Sequence, residues 1–119
     1  MSSKLVIYTK RGALTFEGEF LANLAGVALL SCRDEIEVDA RNIRDDLASL
    51  FKYENLSKGI EVKDTDHGLV IKVNVIVKYG ISIKNASYKA INEIKQTFNE
   101  VVGVDVKVNI RVTGIKISE

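Results

Sequence analysis

Residue types that carry acid–base or nucleophilic chemistry are rare in this chain. His67 is its only histidine and Cys32 its only cysteine. A histidine general base needs an oriented acidic partner and a nearby nucleophile, and a polar turn such as that around His67 is a poor place to hold them. Cys32 follows an apolar helical segment, where a free cysteine is usually a buried, inert thiol. The sequence therefore predicts no catalytic residue, no cofactor site, and no multi-histidine or cysteine metal site.

A run of carboxylates follows the cysteine. Its members are Asp34, Glu35, Glu37 and Asp39, with Asp45 and Asp46 further along the chain. Carboxylate oxygens could bind a divalent cation, but the run lacks the turning glycine and the closing glutamate of a calcium loop. We therefore favour a charged surface that faces solvent.

Polar side chains on two long strands form the main candidate site. They alternate with the apolar rows of those strands, so they point to the opposite face of the predicted sheet. If the strands are neighbours, these residues form one basic, amide-rich face for a partner: Lys72, Asn74, Ile76, Lys78, Lys107, Asn109 and Arg111. Such a face could bind phosphates or RNA, but it lacks the aromatic side chains that stack on bases. Val70 and Ile76 interrupt its polar character, which favours a wet sheet face or one covered by a partner.

The composition indicates one globular domain. The chain has 119 residues, of which 46% are hydrophobic, enough for a core without metals or disulfides. We therefore expect a single domain over residues 1–119. Its 17 basic and 16 acidic residues nearly balance, which argues against strong attraction of the whole domain to nucleic acid or an anionic membrane. The lone cysteine is typical of a reducing, cytoplasmic compartment, and no apolar run reaches the roughly 20 residues that span a bilayer.

Apolar periodicity predicts the elements of the first half. Residues 5–9 and 13–16 are expected to be strands separated by a short turn, and residues 18–32 have the apolar spacing of a helix. Residues 33–39 fit either a short strand or a loop. A second helix is expected over residues 42–53, after which Gly59 is available for a positive φ angle.

The second half has the clearest pattern. A hairpin joins a strand at residues 60–63 to a long alternating strand at residues 69–79, with its turn at residues 64–68. A helix follows, with Ser82 as its N-cap and Gly103 as its C′ residue. The last strand covers residues 104–113. At Gly114 the apolar residues change from even to odd positions, which predicts a bulge or an edge bend.

These elements define the expected fold class. The two long strands are joined by a helix and more than 20 residues, so we expect them to be parallel with a right-handed crossover. The strand at residues 60–63 adds an antiparallel neighbour. The prediction is an α+β fold in two layers, a mixed β-sheet with helices packed on one face, in the order β-β-α-α-β-β-α-β.

The second half also resembles a known family. Asn55 to Val62 leads into the strand Val73–Val77 and then Tyr79-Gly80-Ile81; after the helix, Val102-Gly103-Val104 leads to Gly114-Ile115. This order is similar to that of the bacterial alkaline-shock-protein family, also called envelope stress response proteins. Leu24-Ala25-Gly26 in the first helix resembles the Ile-Ala-Gly segment of that family. Family members usually carry a small, glycine-rich apolar segment at residues 32–47, where this chain has its acidic run.

The resemblance implies a non-enzymatic, cytoplasmic interaction or scaffold protein in bacterial cell-envelope stress or lipid-synthesis homeostasis. The partners that it implies are a small membrane-anchored protein or the subunits of acetyl-CoA carboxylase, together with self-association. No catalytic residues are established for the family, so none are carried over. The alternative function, from the residues themselves, is a small RNA- or nucleotide-binding module that uses the basic sheet face.

Overall fold

The computed structural model describes residues 4–40 and 59–117, which form strands and helices of an α+β fold. In chain order they are β1 (Lys4–Thr9), β2 (Gly12–Glu17), α1 (Gly18–Leu29), a 3-10 turn (Leu30–Cys32), β3 (Ile36–Val38), β4 (Ile60–Thr65), β5 (Gly68–Lys78), α2 (Ile83–Val101) and β6 (Val106–Lys116). The predicted fold class is confirmed. Residues 33–39 were predicted to be either a short strand or a loop, and the structure shows strand β3 there. This strand adds an element to the predicted order. The helix expected over residues 42–53 lies outside the described residues.

Strand β5 lies at the centre of the main sheet. On one side it pairs in parallel with β6, from Leu69 opposite Val106 to Lys78 opposite Lys116. On its other side it pairs antiparallel with two shorter strands, β4 along its first part and β3 near its end. Helix α2 connects the two parallel strands, so the predicted parallel pair and its crossover connection are confirmed.

Strands β3 and β4 meet at Asn74 of β5. The Asn74 carbonyl accepts a hydrogen bond from the Asp39 amide at 2.6 Å, and the Asn74 amide donates to the Gly59 carbonyl at 3.3 Å. Gly59 has a φ angle of +83°, as predicted, and a Cβ atom there would lie 2.6 Å from the Asp39 carbonyl oxygen. The junction therefore requires glycine both for its left-handed backbone and for this close approach.

A bulge changes the phase of β6. Val112 lies opposite Val75, but the next residue of β5, Ile76, lies opposite Gly114, so Thr113 is the extra residue. Of the two predicted alternatives, a bulge or an edge bend, the structure shows a bulge, one residue before Gly114. Because an extra residue exchanges the two faces of a strand, Ile115 lies on the same face as Val112 although their positions differ in parity.

The core lies between the main sheet and the two helices. The alternate residues of β5 from Leu69 to Val77 are at most 4% exposed, and they pack against buried residues of both helices. Helix α2 supplies Ala86, Ala90, Ile94 and Phe98, a spacing of four that places all of them on one helical stripe. We call this helix-covered side the inner face of the sheet.

Both ends of α2 have the caps that its sequence predicts. The Ser82 hydroxyl accepts a hydrogen bond from the Asn85 amide at 3.2 Å, which satisfies one of the free amides of the first turn. Gly103 has a φ of +85°, and its amide donates to the Phe98 carbonyl at 2.9 Å. These bonds fix the helix over the sheet and place the start of β6 beside β5.

Strands β1 and β2 form a separate two-stranded sheet, with Leu5 opposite Phe16 and Ile7 opposite Leu14. Leu5, Ile7 and Phe16 are half-buried against the core. The Phe16 ring also stacks on the Phe20 ring of α1 at a centroid distance of 6.0 Å. An isolated hairpin is marginally stable, so these contacts are what attach it to the domain.

Candidate functional site: the outer sheet face

The seven residues predicted to form a partner-binding face lie together on the sheet. In the parallel register of β5 and β6, Lys72 lies opposite Asn109 and Asn74 opposite Arg111. Opposed residues of neighbouring strands point to the same side, which here is the side away from both helices. We call this surface the outer sheet face: Lys72, Asn74, Ile76, Lys78, Lys107, Asn109 and Arg111.

Two acidic residues from the antiparallel strands reach this face. Glu37 of β3 lies opposite Ile76, and its Oε1 is 2.8 Å from the Nζ of Lys116. Glu61 of β4 lies opposite Lys72 and forms an ion pair at 3.0 Å with Lys63. The hydrogen bond from Lys63 lowers the pKa of the Glu61 carboxyl, and the charge of Lys72 lowers it further.

Three other cations of the outer sheet face differ in their distance from carboxylates. Among the described residues, no carboxylate lies within ion-pair distance of Lys78, Lys107 or Arg111. Lys107 and Arg111 are exposed, and Lys78 is half-buried. In the described part of the chain, these three residues place positive charge on β6 and at the end of β5, where it can attract an anionic group.

A shallow cavity of about 500 Å³ opens on this face beside the junction of β3 and β4. Its lining residues include Lys72, Asn74, Asn109 and Arg111 of the outer sheet face, Glu61 of β4, and Asp39 and Gly59 of the junction. Cationic and amide residues thus share one concave surface with two acidic residues. Such a lining offers hydrogen-bond donors and acceptors together.

The junction carboxylate has a long-range partner that the sequence did not reveal. Asp39 is 8% exposed, and its Oδ2 accepts a hydrogen bond from the Thr113 hydroxyl at 2.5 Å. The same hydroxyl lies 3.1 Å from the Val75 carbonyl. Thr113 is the bulge residue, so the bulge aims this hydroxyl across β5. The predicted phase change at Gly114 was the available signal, but it gave no partner.

Apolar residues interrupt the outer sheet face, as the sequence predicted. Val70 and Ile76 are half-buried, and Ile76 lies between Glu37 on one side and Gly114 on the other. Half-buried apolar residues among charges are typical of the core and rim of a polar protein interface.

The residues with reactive side chains lie apart from this face. His67 is exposed in the turn between β4 and β5, where its amide donates to the Thr65 hydroxyl at 3.2 Å. The predicted hairpin is confirmed, but its turn consists of Asp66 and His67 rather than residues 64–68, because the paired strands extend further than predicted. Cys32 is 1% exposed in the 3-10 turn after α1, and burial raises the pKa of its thiol.

The Cys32 thiol is expected to react slowly with a disulfide reagent at mildly alkaline pH. A raised pKa lowers the fraction of thiolate at a given pH, and burial also blocks access. We expect the reaction of the folded chain to be at least about tenfold slower than that of the chain unfolded in guanidinium chloride. The rate of each reaction is measured from the absorbance change as the reagent reacts with the thiol. Equal rates would contradict a buried thiol.

The described part of the acidic run forms ion pairs and hydrogen bonds. Glu35 pairs with Lys89 of α2 at 3.1 Å, and Glu37 and Asp39 make the contacts given above. Asp45 and Asp46 lie outside the described residues. In residues 4–40 and 59–117, no group of three or more histidine, cysteine or carboxylate side chains is arranged to hold a metal ion. Neither described helix is both long and apolar enough to cross a bilayer.

Comparison with known proteins identifies the family. Residues 6–117 match the model of the alkaline shock protein 23 family, which is described as having a cell envelope-related function. The chain is 30% identical over 112 residues to the uncharacterized protein YloU of Bacillus subtilis, a match that covers 92% of this chain and 93% of the relative.

Two further relatives show lower identity. The uncharacterized protein Spy1614 of Streptococcus pyogenes is 27% identical, over 93% of each chain. The uncharacterized protein YqhY of Bacillus subtilis is 26% identical, over 91% of this chain and 80% of the relative. No solved structure matches the chain significantly. The family match spans nearly all of the described fold, including both strands that carry the outer sheet face, and the chain therefore belongs to the alkaline shock protein 23 family, whose function is related to the cell envelope.

Proposed function

We propose that this protein is a non-enzymatic scaffold in bacterial cell-envelope stress or lipid-synthesis homeostasis, and that it binds a partner protein through the outer sheet face. The family description supports the cell-envelope assignment. The observation that carries the binding proposal is the parallel register that brings the predicted residues together on one surface. Lys78, Lys107 and Arg111 on that surface have no carboxylate partner among the described residues.

The chemistry of the surface suits a protein partner better than RNA. Ile76 and Val70 provide half-buried apolar contacts on the central strand β5, whereas Lys107 and Arg111 are exposed on the neighbouring strand β6. An apolar centre with a polar rim is the usual anatomy of a protein interface. The described residues of this face include no aromatic side chain, although stacking on such rings supplies much of the affinity of single-stranded RNA binders.

The resemblance to the family motivates the choice of partners. A small membrane-anchored protein and the subunits of acetyl-CoA carboxylase are the candidates, with self-association as a further property, and a cytoplasmic protein could reach the membrane through the first of them. These candidate partners have no common binding motif by which one probe could represent them all. The partner should therefore be captured from the native cells under mild detergent rather than assumed.

Charge reversal on the outer sheet face is expected to abolish partner capture. In a double variant, Lys78→Glu and Arg111→Glu, two attractions become repulsions at positions with no carboxylate within ion-pair distance in the described residues, and like charges across an interface cost several kcal/mol. We expect at least about a tenfold loss of captured partner. The measurement is quantitative mass spectrometry of proteins retained by the tagged chain.

A matched control separates this effect from net charge. Lys10→Glu with Arg11→Glu changes the net charge equally, but at the exposed tip of the β1–β2 hairpin; it should capture the partner normally. Circular dichroism must show that both variants are folded. Normal capture by the folded outer-face variant would remove this surface as the binding site. Recovery of RNA whose binding weakens steeply with salt would favour the nucleic-acid alternative instead.

A further inference from the structure

The edge of β6 that faces away from β5 pairs with no strand in residues 4–40 and 59–117, and we call it the free edge of β6. β6 has 11 residues, and its single strand partner among the described residues is β5. One side chain in that part of the chain bonds to the β6 backbone from outside the sheet: the Nζ of Lys95 donates to the Val106 carbonyl at 2.6 Å. Within the described residues, no other hydrogen bond reaches the amides and carbonyls beyond Val106 that point away from β5, so an added strand could bond to them.

The side chains along this edge differ between the two faces of the sheet. On the outer side the edge presents Lys107 and Arg111, which lack a carboxylate partner among the described residues. On the inner side, Val112 and Ile115 continue the apolar row that is fully buried in β5. Ile115 is nonetheless 57% exposed, and Ile117 just beyond the strand is 73% exposed. An apolar row that reaches a strand edge uncovered is suited to contact another strand.

The charges along the free edge of β6 determine which kind of strand can pair with it. If two copies of β6 paired with their faces aligned, their cationic rows would lie on one side of the joint sheet. Opposed like charges destabilise a strand pair. The edge therefore disfavours a second copy of itself and favours a strand whose outer-side residues are acidic.

The chain itself contains a strand with this pattern. In β3, Ile36 is 3% exposed on the inner face, whereas Glu37 lies on the outer face, 2.8 Å from Lys116. β3 adds to the far side of β5 with its acid facing out and its apolar residue facing in. In this sheet, the apolar-acidic-apolar strand Ile36–Val38 therefore pairs with β5.

We propose that the free edge of β6 binds an extended segment of a partner protein in which acidic and apolar residues alternate. The backbone of the segment pairs with β6, its carboxylates face Lys107 and Arg111, and its apolar side chains cover Val112 and Ile115. This inference rests on the proposed function, since it specifies the chemistry of the bound partner at the border of the outer sheet face.

A labelled peptide tests the inference directly. The probe is an end-blocked fluorescein peptide, Glu-Val-Glu-Val-Glu-Ile-Glu, measured by anisotropy with the intact chain. We expect binding that weakens as salt rises from about 50 to about 300 mM, since exposed charge pairs are screened. The peptide with lysine in place of glutamate should not bind. Lys107→Glu should weaken binding about tenfold, whereas Lys10→Glu at the hairpin tip should not change it.

Backbone pairing has its own signature. N-methylation of one alternating set of peptide amides should abolish binding, and methylation of the other set should preserve it, because one edge of a strand faces β6. Hydrogen exchange of the β6 amides should slow at least about tenfold in the complex. Slower exchange confined to β3 and its partners in β5 would mean that the peptide replaces β3, and would overturn the inference.

Two other results would also overturn it. One is absence of peptide binding at low salt. The other is concentration-dependent self-association that protects the β6 amides, because the edge would then belong to a second copy. Arg111 belongs to both the outer sheet face and the free edge, so peptide binding to the unchanged chain is the measurement that separates the two proposals. If Lys78→Glu with Arg111→Glu abolishes capture but the peptide does not bind, the proposed function stands and the edge inference fails.

Discussion

Replacing Phe98 with alanine is expected to lower the free energy of unfolding by about 3–5 kcal/mol. Phe98 is completely buried on the stripe of α2 that packs against the sheet. Truncation of a buried ring loses its transfer free energy and leaves a cavity that the close-packed core fills only partly. Because domains of this kind are stabilised by about 5–15 kcal/mol in total, one substitution should remove a large part of the stability.

Urea unfolding followed by circular dichroism measures this loss as a lower midpoint. The matched control is Val101→Ala in the same helix, because Val101 is 56% exposed and surface truncations usually change stability by less than about 0.5 kcal/mol. Phe98→Leu provides a graded variant, since it keeps most of the apolar volume. If Phe98→Ala and Val101→Ala have equal midpoints, Phe98 does not occupy the centre of the core.

Gly59→Ala should destabilise the fold more than alanine at Gly12, Gly68, Gly80 or Gly103. At those four positions no atom lies within 4 Å of an added Cβ. A left-handed backbone costs a non-glycine residue about 1–2 kcal/mol. At Gly59 the added methyl would also lie 2.6 Å from the Asp39 carbonyl oxygen and 2.7 Å from the Val38 Cγ1 atom. We therefore expect a loss of more than about 2 kcal/mol, because either β3 or β4 must move away from β5.

Gly103→Ala separates the two causes. Gly103 has nearly the same φ, +85°, and no atom within 4 Å of the position of an added Cβ. Its substitution therefore measures backbone strain, and the additional loss at Gly59 measures the collision at the junction. Both are read from urea midpoints, with the hydrogen exchange of Asn74 as a local probe. Equal losses at the two glycines would show that the strands relax around the methyl group without cost.

The parts of the fold that follow from local rules could be predicted from the sequence. Alternation identified β5 and β6, the helix between them favoured a parallel pair, and the change of parity at Gly114 marked the place of the bulge. Ser82 and Gly103 have the conformations that capping requires. The outer sheet face could be proposed because its residues depend only on alternation and on the two strands being neighbours.

Features that depend on which distant segments meet could not be predicted. No local pattern shows that β3 and β4 share one side of β5, because an isolated three-residue strand has no register of its own. The hydrogen bond from Thr113 to Asp39 joins residues 74 positions apart, and the ion pair from Lys116 to Glu37 joins residues 79 apart. Such contacts decide which of the described cations lie beside a carboxylate, so the charge pattern of the site became visible only in three dimensions.

The meeting of β3 and β4 at Asn74 makes this position a natural point for protein engineering. The chain leaves the sheet after Asp39 and returns at Gly59, two residues in van der Waals reach of each other. The length of chain between them is therefore not set by the sheet. A fluorescent or affinity domain whose termini lie close together could thus be grafted between these two positions while the main sheet retains its register.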